Sequence, residues 1–163
     1  MAKTAIYPGT FDPATCGHLD ILREAARLFE HVVVAVGVNP GKVPLFSFAQ
    51  RTAMLRAAIV EARLDNVTVD AFEGLTVDFA RSHKARYIVR GLRAVTDFEH
   101  EMSLVLGNEQ LDPNIKTVFV MPSHNRLYLS SSIVRQAAEF GRRIIPDSVP
   151  SAVEAELRRK FEF

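Results

Sequence analysis

Tyr7-Pro8-Gly9-Thr10-Phe11-Asp12-Pro13-Ala14-Thr15-Cys16-Gly17-His18 lies between two segments of different period. Before it, Lys3-Thr4-Ala5-Ile6-Tyr7 reads as a short strand. After it, Leu19, Leu22, Ala26 and Phe29 recur at steps of three, four and three, the period of an amphipathic helix. The stretch is therefore the loop between a first strand and a first helix. In open α/β folds, phosphate groups meet the unpaired N–H groups of a helix N-terminus at that point. Gly9 and Gly17 let the backbone turn and approach a ligand, and Pro8 and Pro13 stiffen the connection by fixing φ. Thr10 offers a hydroxyl, and His18 stands at the helix entrance. Neither GxxxxGK[ST] nor GxGxxG occurs here, so the loop carries neither of those two phosphate fingerprints.

Outward from this loop, strand-like and helix-like segments alternate. Val32 to Val38 is a near-continuous β-branched run, as a strand buried on both faces requires, and Asn39-Pro40-Gly41-Lys42 breaks it. Ser47-x-x-Gln50 has the form of a capping box and opens a helix to about Arg63. Val67 to Phe72 reads as a third strand, Gly74-Leu75-Thr76 as a turn, and a helix then runs to about Lys84. Tyr87-Ile88-Val89 is the fourth strand. The next helix spans about Asp97 to Leu111, with Phe98, Met102, Val105 and Leu106 on its inner side. Thr117 to Met121 is the fifth strand. One helix begins near Ser131 and a last one covers Ser151 to Phe161. Five β-then-α units imply an α/β, Rossmann-like fold: a five-stranded parallel sheet with helices on both faces, in one domain over residues 1–163. Ligands of such sheets bind outside the carboxyl ends of the strands. The Thr10–His18 loop, Lys42, Thr76, Arg90–Arg93 and Ser123–Ser132 each follow a strand, so they should converge on one edge.

Composition narrows the function classes. With 163 residues, 48% apolar, the chain suits one domain with one core. Lys and Arg number 20 against 19 Asp and Glu, a net charge of +1, which leaves no bulk basic field for nucleic acid or a membrane surface. The single cysteine, Cys16, excludes an internal disulfide and fits a reducing compartment. No apolar run reaches the ~18 residues of a spanning helix, and the N-terminus has no signal-peptide pattern. The cytoplasm is the expected location. His18, His31, His83, His100 and His124 are scattered without cysteine partners at zinc spacing, so no metal-binding residue is named.

Thr15-Cys16-Gly17-His18 has the form [H/T]-x-G-H, and Ser130-Ser131-Ser132-Ile133-Val134-Arg135 resembles the second signature of the nucleotidylyltransferase superfamily. More narrowly, YPGTFDP-x-T-x-GH, VRGLRA with DFE shortly after, and MPS followed by SSS resemble the phosphopantetheine adenylyltransferase family, in order and spacing over nearly the whole chain. That resemblance implies transfer of the adenylyl group of ATP to 4′-phosphopantetheine, giving dephospho-CoA and pyrophosphate. It further implies Mg2+ held by substrate phosphates and water, a hexamer, and CoA as a competing ligand. Such chemistry must align two polyanions and neutralise growing charge, which calls for His, Lys, Arg and backbone N–H groups.

By the same resemblance, His18 contacts the ATP phosphates and stabilises the transition state; the plain alternative is a helix-start histidine that only caps or packs. Thr10 bridges the two substrates, unless its hydroxyl merely closes its own turn, and the Phe11 backbone helps hold ATP. Lys42, Thr76 and Arg90 take the phosphopantetheine, although a lysine in a Pro-Gly loop is usually just solvated. Gly91, Leu92 and Arg93 line the ATP site. Glu101 matches an ATP contact, against the alternative of an exposed helix glutamate paired with a basic residue. Arg126, Leu127, Tyr128, Leu129, Ser130, Ser131 and Ser132 cover the nucleotide, and the serines alternatively act only as caps. The family often has aromatic-Ser-Phe-Ile where this chain reads Arg126-Leu127-Tyr128-Leu129. The nearest rival acceptors are nicotinamide mononucleotide or a CDP-alcohol precursor, and a rival of another class is a non-catalytic nucleotide sensor.

Overall fold

The computed structural model describes residues 3–37, 43–93 and 95–163, and of residues 95–97 and 100 only the backbone. The strands are β1 (Thr4–Gly9), β2 (His31–Gly37), β3 (Val67–Phe72), β4 (Tyr87–Gly91) and β5 (Lys116–Val120). They alternate with α1 (Cys16–Leu28), α2 (Phe48–Glu61), α3 (Thr76–Ser82), α4 (Val95–Leu111), α5 (Ser131–Gly141) and α6 (Ser151–Phe161). A single 3-10 turn, His124–Arg126, lies between β5 and α5. The sheet order is β3-β2-β1-β4-β5, every pairing parallel. This is the α/β architecture expected from the alternating segments.

β1 and β2 are buried almost continuously because both faces of the sheet are covered there, whereas the edge strand β3 alternates, and the period of two survives in the destinations of the side chains. Ala5, Tyr7, Val32, Val34 and Val36 pack on one face with Leu22 of α1, Leu55 of α2, Val134 of α5 and Leu157 of α6. Ile6, Val33, Ala35 and Ile88 pack on the other with Val77 and Ala80 of α3. The capping box at Ser47 and Gln50 forms as expected, with both reciprocal bonds present.

Several boundaries and one face differ from expectation. β4 runs past Val89 to Gly91, so Arg90 and Gly91 end the strand instead of following it. β1 continues past Tyr7 to Gly9, because Pro8 and Gly9 still find register partners in Ala35 and Val36 of β2. Thr76, expected in a turn, is the first residue of α3. On α4, Met102 and Val105 are partly buried, but Phe98 and Leu106 are 45% and 56% exposed. α4 packs against α3 and the edge strand β5, where the Phe98 ring meets Phe119 at 6.1 Å between centroids but stays partly open at the sheet margin.

The functional crevice follows from the order reversal. β2 lies on one side of β1 and β4 on the other, so the chain switches direction across the sheet between β1 and β4. The β1–β4 ladder holds only Ala5↔Tyr87 and Ile6↔Ile88, whereas β1 stays paired with β2 through Gly9. Pro8 has no N–H to offer a neighbour, and its carbonyl instead accepts from Arg90 Nη1 at 3.3 Å. The carboxyl ends of the two central strands therefore open a gap at the topological switch point.

Candidate active site

A cavity of about 640 Å³ occupies that gap. Its wall brings together residues far apart in sequence: Thr10, Phe11 and His18 from the first loop, Thr76, Arg90, Gly91, Arg93 and Glu101 from the middle, and Leu129 with Ser130–Ser132 from the last third. The expected convergence on one sheet edge is thus present. Leu92, Arg126, Leu127 and Tyr128 are not in the wall. Leu92 spends its N–H on the Val120 carbonyl at 3.0 Å, as a strand end does. Arg126 turns to α1, where its Nη1 donates to Asp20 Oδ1 at 2.6 Å. Tyr128 is 55% exposed. Lys42 lies outside the described residues.

His18 does cap the helix, and the cap fixes its chemistry. Thr15 is the N-cap of α1: its hydroxyl accepts from the His18 N–H, and its own N–H donates to His18 Nδ1 at 2.9 Å. A backbone N–H can only donate, so Nδ1 is an acceptor and the neutral ring carries its proton on Nε2. The ring packs edge-on against Phe11, whose positive φ of 47° tucks its own ring between Tyr7 and His18. Burial, reinforced by the positive charge of Arg93, pushes the His18 pKa down to about 4. At neutral pH the residue is therefore an uncharged N–H donor in the cavity wall.

That shift has a measurable sign. In the unfolded chain a histidine titrates near 6.5, so between about pH 4 and 6.5 the unfolded state binds the extra proton. Stability conferred by the neutral ring is complete above that window and is lost as the pH falls through it. With the ring edge open to cavity water, the effect is discounted to about 2 kcal/mol. The stability difference between wild type and His18→Gln, from urea unfolding, should grow by about that amount between pH ~4.5 and ~7.5. A difference that does not move with pH would mean that the ring is not held neutral.

Gly9 is required sterically, because a Cβ there would stand 2.9 Å from the Phe11 ring, which is wedged in place and only 2% exposed. Gly17 is not under the same constraint from the protein, since its Cβ would meet nothing closer than 3.5 Å.

Across the gap, Arg90 is gripped by Glu101 in a two-point fork, Nε to Oε2 at 2.5 Å and Nη2 to Oε1 at 2.7 Å. Glu101 thus carries the ion pair that a helix glutamate would make with a basic neighbour, and it does so in the cavity wall. The planar guanidinium is oriented by this fork and by the Pro8 carbonyl. Arg93 Nη1 donates to the Leu129 carbonyl at 2.9 Å, tying the β4 end to the loop before α5. Ser130 is the N-cap of α5, its Oγ accepting from the Ile133 N–H at 3.2 Å, and Ser131 Oγ donates to the Pro13 carbonyl at 2.8 Å. So Ser130 is indeed a cap, while the capped helix start itself forms cavity wall.

Three charged wall residues receive no role from the sequence. Asp12 is buried and accepts from the Leu45 and Phe46 N–H groups at 2.7 and 2.9 Å, with Arg135 Nη1 at 3.3 Å. Arg51 is 3% exposed; its Nε donates to the Phe46 carbonyl, and its Nη1 donates to those of Thr10 and Gly37. The Asp12 of the FDP string was a visible signal. Arg135 closes the Ser130–Arg135 signature and was visible too; Arg51 gave no signal, because arginine on a helix is ordinarily solvent-facing.

A basic, serine-capped crevice at the switch point of a doubly wound sheet is the site of a nucleotidyl-transferring protein, and the Cytidylyltransferase-like family model matches residues 6–137. The chain is 49% identical to the phosphopantetheine adenylyltransferase of Desulforudis audaxviator, over 98% of this chain and 96% of that one. It is 47% identical to the phosphopantetheine adenylyltransferase of Methylococcus capsulatus, over 99% and 98%. The chain belongs to the phosphopantetheine adenylyltransferase family. Solved structures share the fold at low identity. A bifunctional NMN adenylyltransferase/ADP ribose pyrophosphatase from Francisella tularensis superposes with a TM-score of 0.76 at 19% identity, covering all of this chain and 51% of that one. A nicotinic acid mononucleotide adenylyltransferase from Plasmodium falciparum, complexed with NaAD, gives 0.72 at 17% identity over 100% and 97%.

Proposed function

We propose that this protein, acting as one domain over residues 1–163, transfers the adenylyl group of ATP to the phosphate of 4′-phosphopantetheine. An oxygen of the acceptor phosphate bonds to the α-phosphorus of ATP. The bond from that phosphorus to the bridging oxygen breaks, and pyrophosphate leaves with the electron pair, giving dephospho-CoA. The observation that carries this reading is the Thr15 N–H to His18 Nδ1 bond, in a chain whose end-to-end relatives are named for that activity. With Nδ1 occupied and Nε2 protonated, His18 has no lone pair to take a proton. It is built to donate, and a reaction whose nucleophile is already an anion needs a donor and not a base.

The remaining residues divide by substrate. Thr10 sits between the two, and the Phe11 backbone, Gly91, Arg93 and residues 129–132 serve ATP, with Leu92 and residues 126–128 shaping that wall from outside it. The start of α5 offers N–H groups and a helix dipole to the triphosphate. Arg90, oriented by Glu101, takes the acceptor phosphate, with Thr76 and Lys42. Among the described residues no cluster of three His, Cys, Asp or Glu forms a metal cage. The cavity carboxylates Asp12 and Glu101 are each held by an arginine. Mg2+ would therefore be carried by the phosphates and water, where it neutralises triphosphate charge.

Among the described residues no helix is long and apolar enough to cross a membrane. We place the enzyme in the cytoplasm as a hexamer, for which the exposed Phe98, Leu104, Leu106 and Leu111 of α4 supply apolar surface to bury. CoA, which shares its groups with the product, would compete for the cavity. The test is pyrophosphate release with ATP, magnesium and 4′-phosphopantetheine, omitting each in turn and substituting nicotinamide mononucleotide as acceptor. Release that needs all three and yields dephospho-CoA is expected. Release only with nicotinamide mononucleotide would overturn the acceptor assignment, and none from ATP-binding protein would favour a sensor.

A further inference from the structure

The segment between β5 and α5 has little apolar anchorage. Ser123, His124, Asn125 and Tyr128 are exposed, and of this stretch Pro122 and Leu129 are buried. Yet it positions two parts of the cavity wall, Leu129 and the first turn of α5. Besides the Arg93 bond to the Leu129 carbonyl, it is held by one carboxylate on α1, two residues beyond His18. The Asp20 side chain is 11% exposed. Its Oδ1 accepts from Arg126 Nη1 at 2.6 Å and from Arg23 Nη1 at 3.0 Å. Its Oδ2 accepts from the Ser123 N–H at 3.3 Å and from the Ser123 hydroxyl. Arg23 is a neighbour on the same helix, a pairing worth little. Ser123 and Arg126, by contrast, lie 103 and 106 residues away. Charge-assisted bonds from both flanks of a 3-10 turn to one partly buried carboxylate set the position of an otherwise weakly packed loop.

We propose that Asp20 is a positioning residue for nucleotide binding: with Ser123 and Arg126 it latches the 122–129 loop onto α1 and so sets the ATP-side wall. This deepens the assignment of the 126–132 segment to ATP and rests on it. In this arrangement the Arg126 guanidinium is spent on the latch and does not contact the nucleotide. Removing the carboxylate charge therefore loosens ATP and leaves the acceptor, held at the Arg90 and Thr76 side, alone.

The experiment is isothermal titration of ATP and, separately, of 4′-phosphopantetheine into wild type, Asp20→Asn, Arg126→Leu and the double variant, with melting temperatures recorded. Asp20→Asn should raise the Kd for ATP about tenfold and leave that for 4′-phosphopantetheine within about twofold, with little change in melting temperature. Arg126→Leu should act in the same direction, and the double variant should bind ATP no more weakly than Asp20→Asn. Equal losses for both ligands, or a lower melting temperature that accounts for them, would make Asp20 merely structural. An Arg126→Leu variant much worse than Asp20→Asn, with additive losses in the double, would put Arg126 on the nucleotide and overturn the latch. Because binding is read without turnover, a wild type that binds ATP but does not adenylylate 4′-phosphopantetheine defeats the acceptor assignment alone. A wild type that binds no ATP defeats both.

Discussion

Replacing His18 with glutamine is expected to lower kcat about 10²–10³-fold, the usual cost of losing one donor to transition-state charge. Glutamine is chosen because it is the natural third residue of a capping box, so its carbonyl can still accept from the Thr15 N–H and keep the start of α1. What it cannot do is hold that bond and also present a rigid N–H where the imidazole Nε2 stands. If the donor acts only in the transition state, kcat and kcat/KM should fall together, with KM nearly unchanged. Steady-state pyrophosphate release checks this, and circular dichroism checks that the helix is intact. A variant that turns over normally would leave His18 as a cap and nothing more, which its hydrogen bonds alone would also permit.

Arg51→Met should be the most destabilising change near the site, lowering the unfolding free energy by about 3–4 kcal/mol. The guanidinium joins the carbonyls of Thr10, Gly37 and Phe46 and stacks 4.6 Å from the Phe48 ring centroid. Methionine fills much of the same space, yet leaves those three acceptors short of the donors that a 3% exposed guanidinium supplied, at about 1 kcal/mol or more each. Arg51→Lys should recover only part of the loss, because an ammonium cannot reproduce the planar fork. Urea unfolding measures both variants. Activity should fall further than stability alone explains, since the Thr10 carbonyl belongs to the loop that carries the catalytic groups. An Arg51→Met protein as stable as wild type would mean that the loop ends are held by other contacts.

Much of the architecture was legible because local rules and global fold agree. The period change from two to 3.6 at Tyr7–His18, the capping box at Ser47 and the β-branched run from Val32 each depend on neighbours in sequence, and each element formed close to where its pattern placed it. The resemblance supplied roles for His18, Arg90 and the Ser130–Ser132 turn, and all of these stand in one cavity wall. The inner face of α4 was misjudged for a physical reason. Periodicity shows which residues could face a core but not how fully each is covered; at the β5 edge Phe98 meets Phe119 yet stays 45% exposed, and Leu106 is 56% exposed.

The side-chain partners were beyond the sequence. Glu101 with Arg90, Asp20 with Ser123 and Arg126, and Arg51 with three carbonyls from separate segments are contacts across 11, 103, 106 and up to 41 residues. Arginine and acidic side chains follow no period that reveals which will be buried, and their pairing is decided only when strand order brings loop ends together. By itself, then, the sequence determined a parallel α/β sheet, its family and the edge where its polar loops meet, since these follow from spacing along the chain. Only the tertiary structure decided the His18 tautomer, the carboxylate that grips Arg90 and the latch on the ATP-side loop. Each of these is a hydrogen bond whose energy depends on distance and burial in three dimensions.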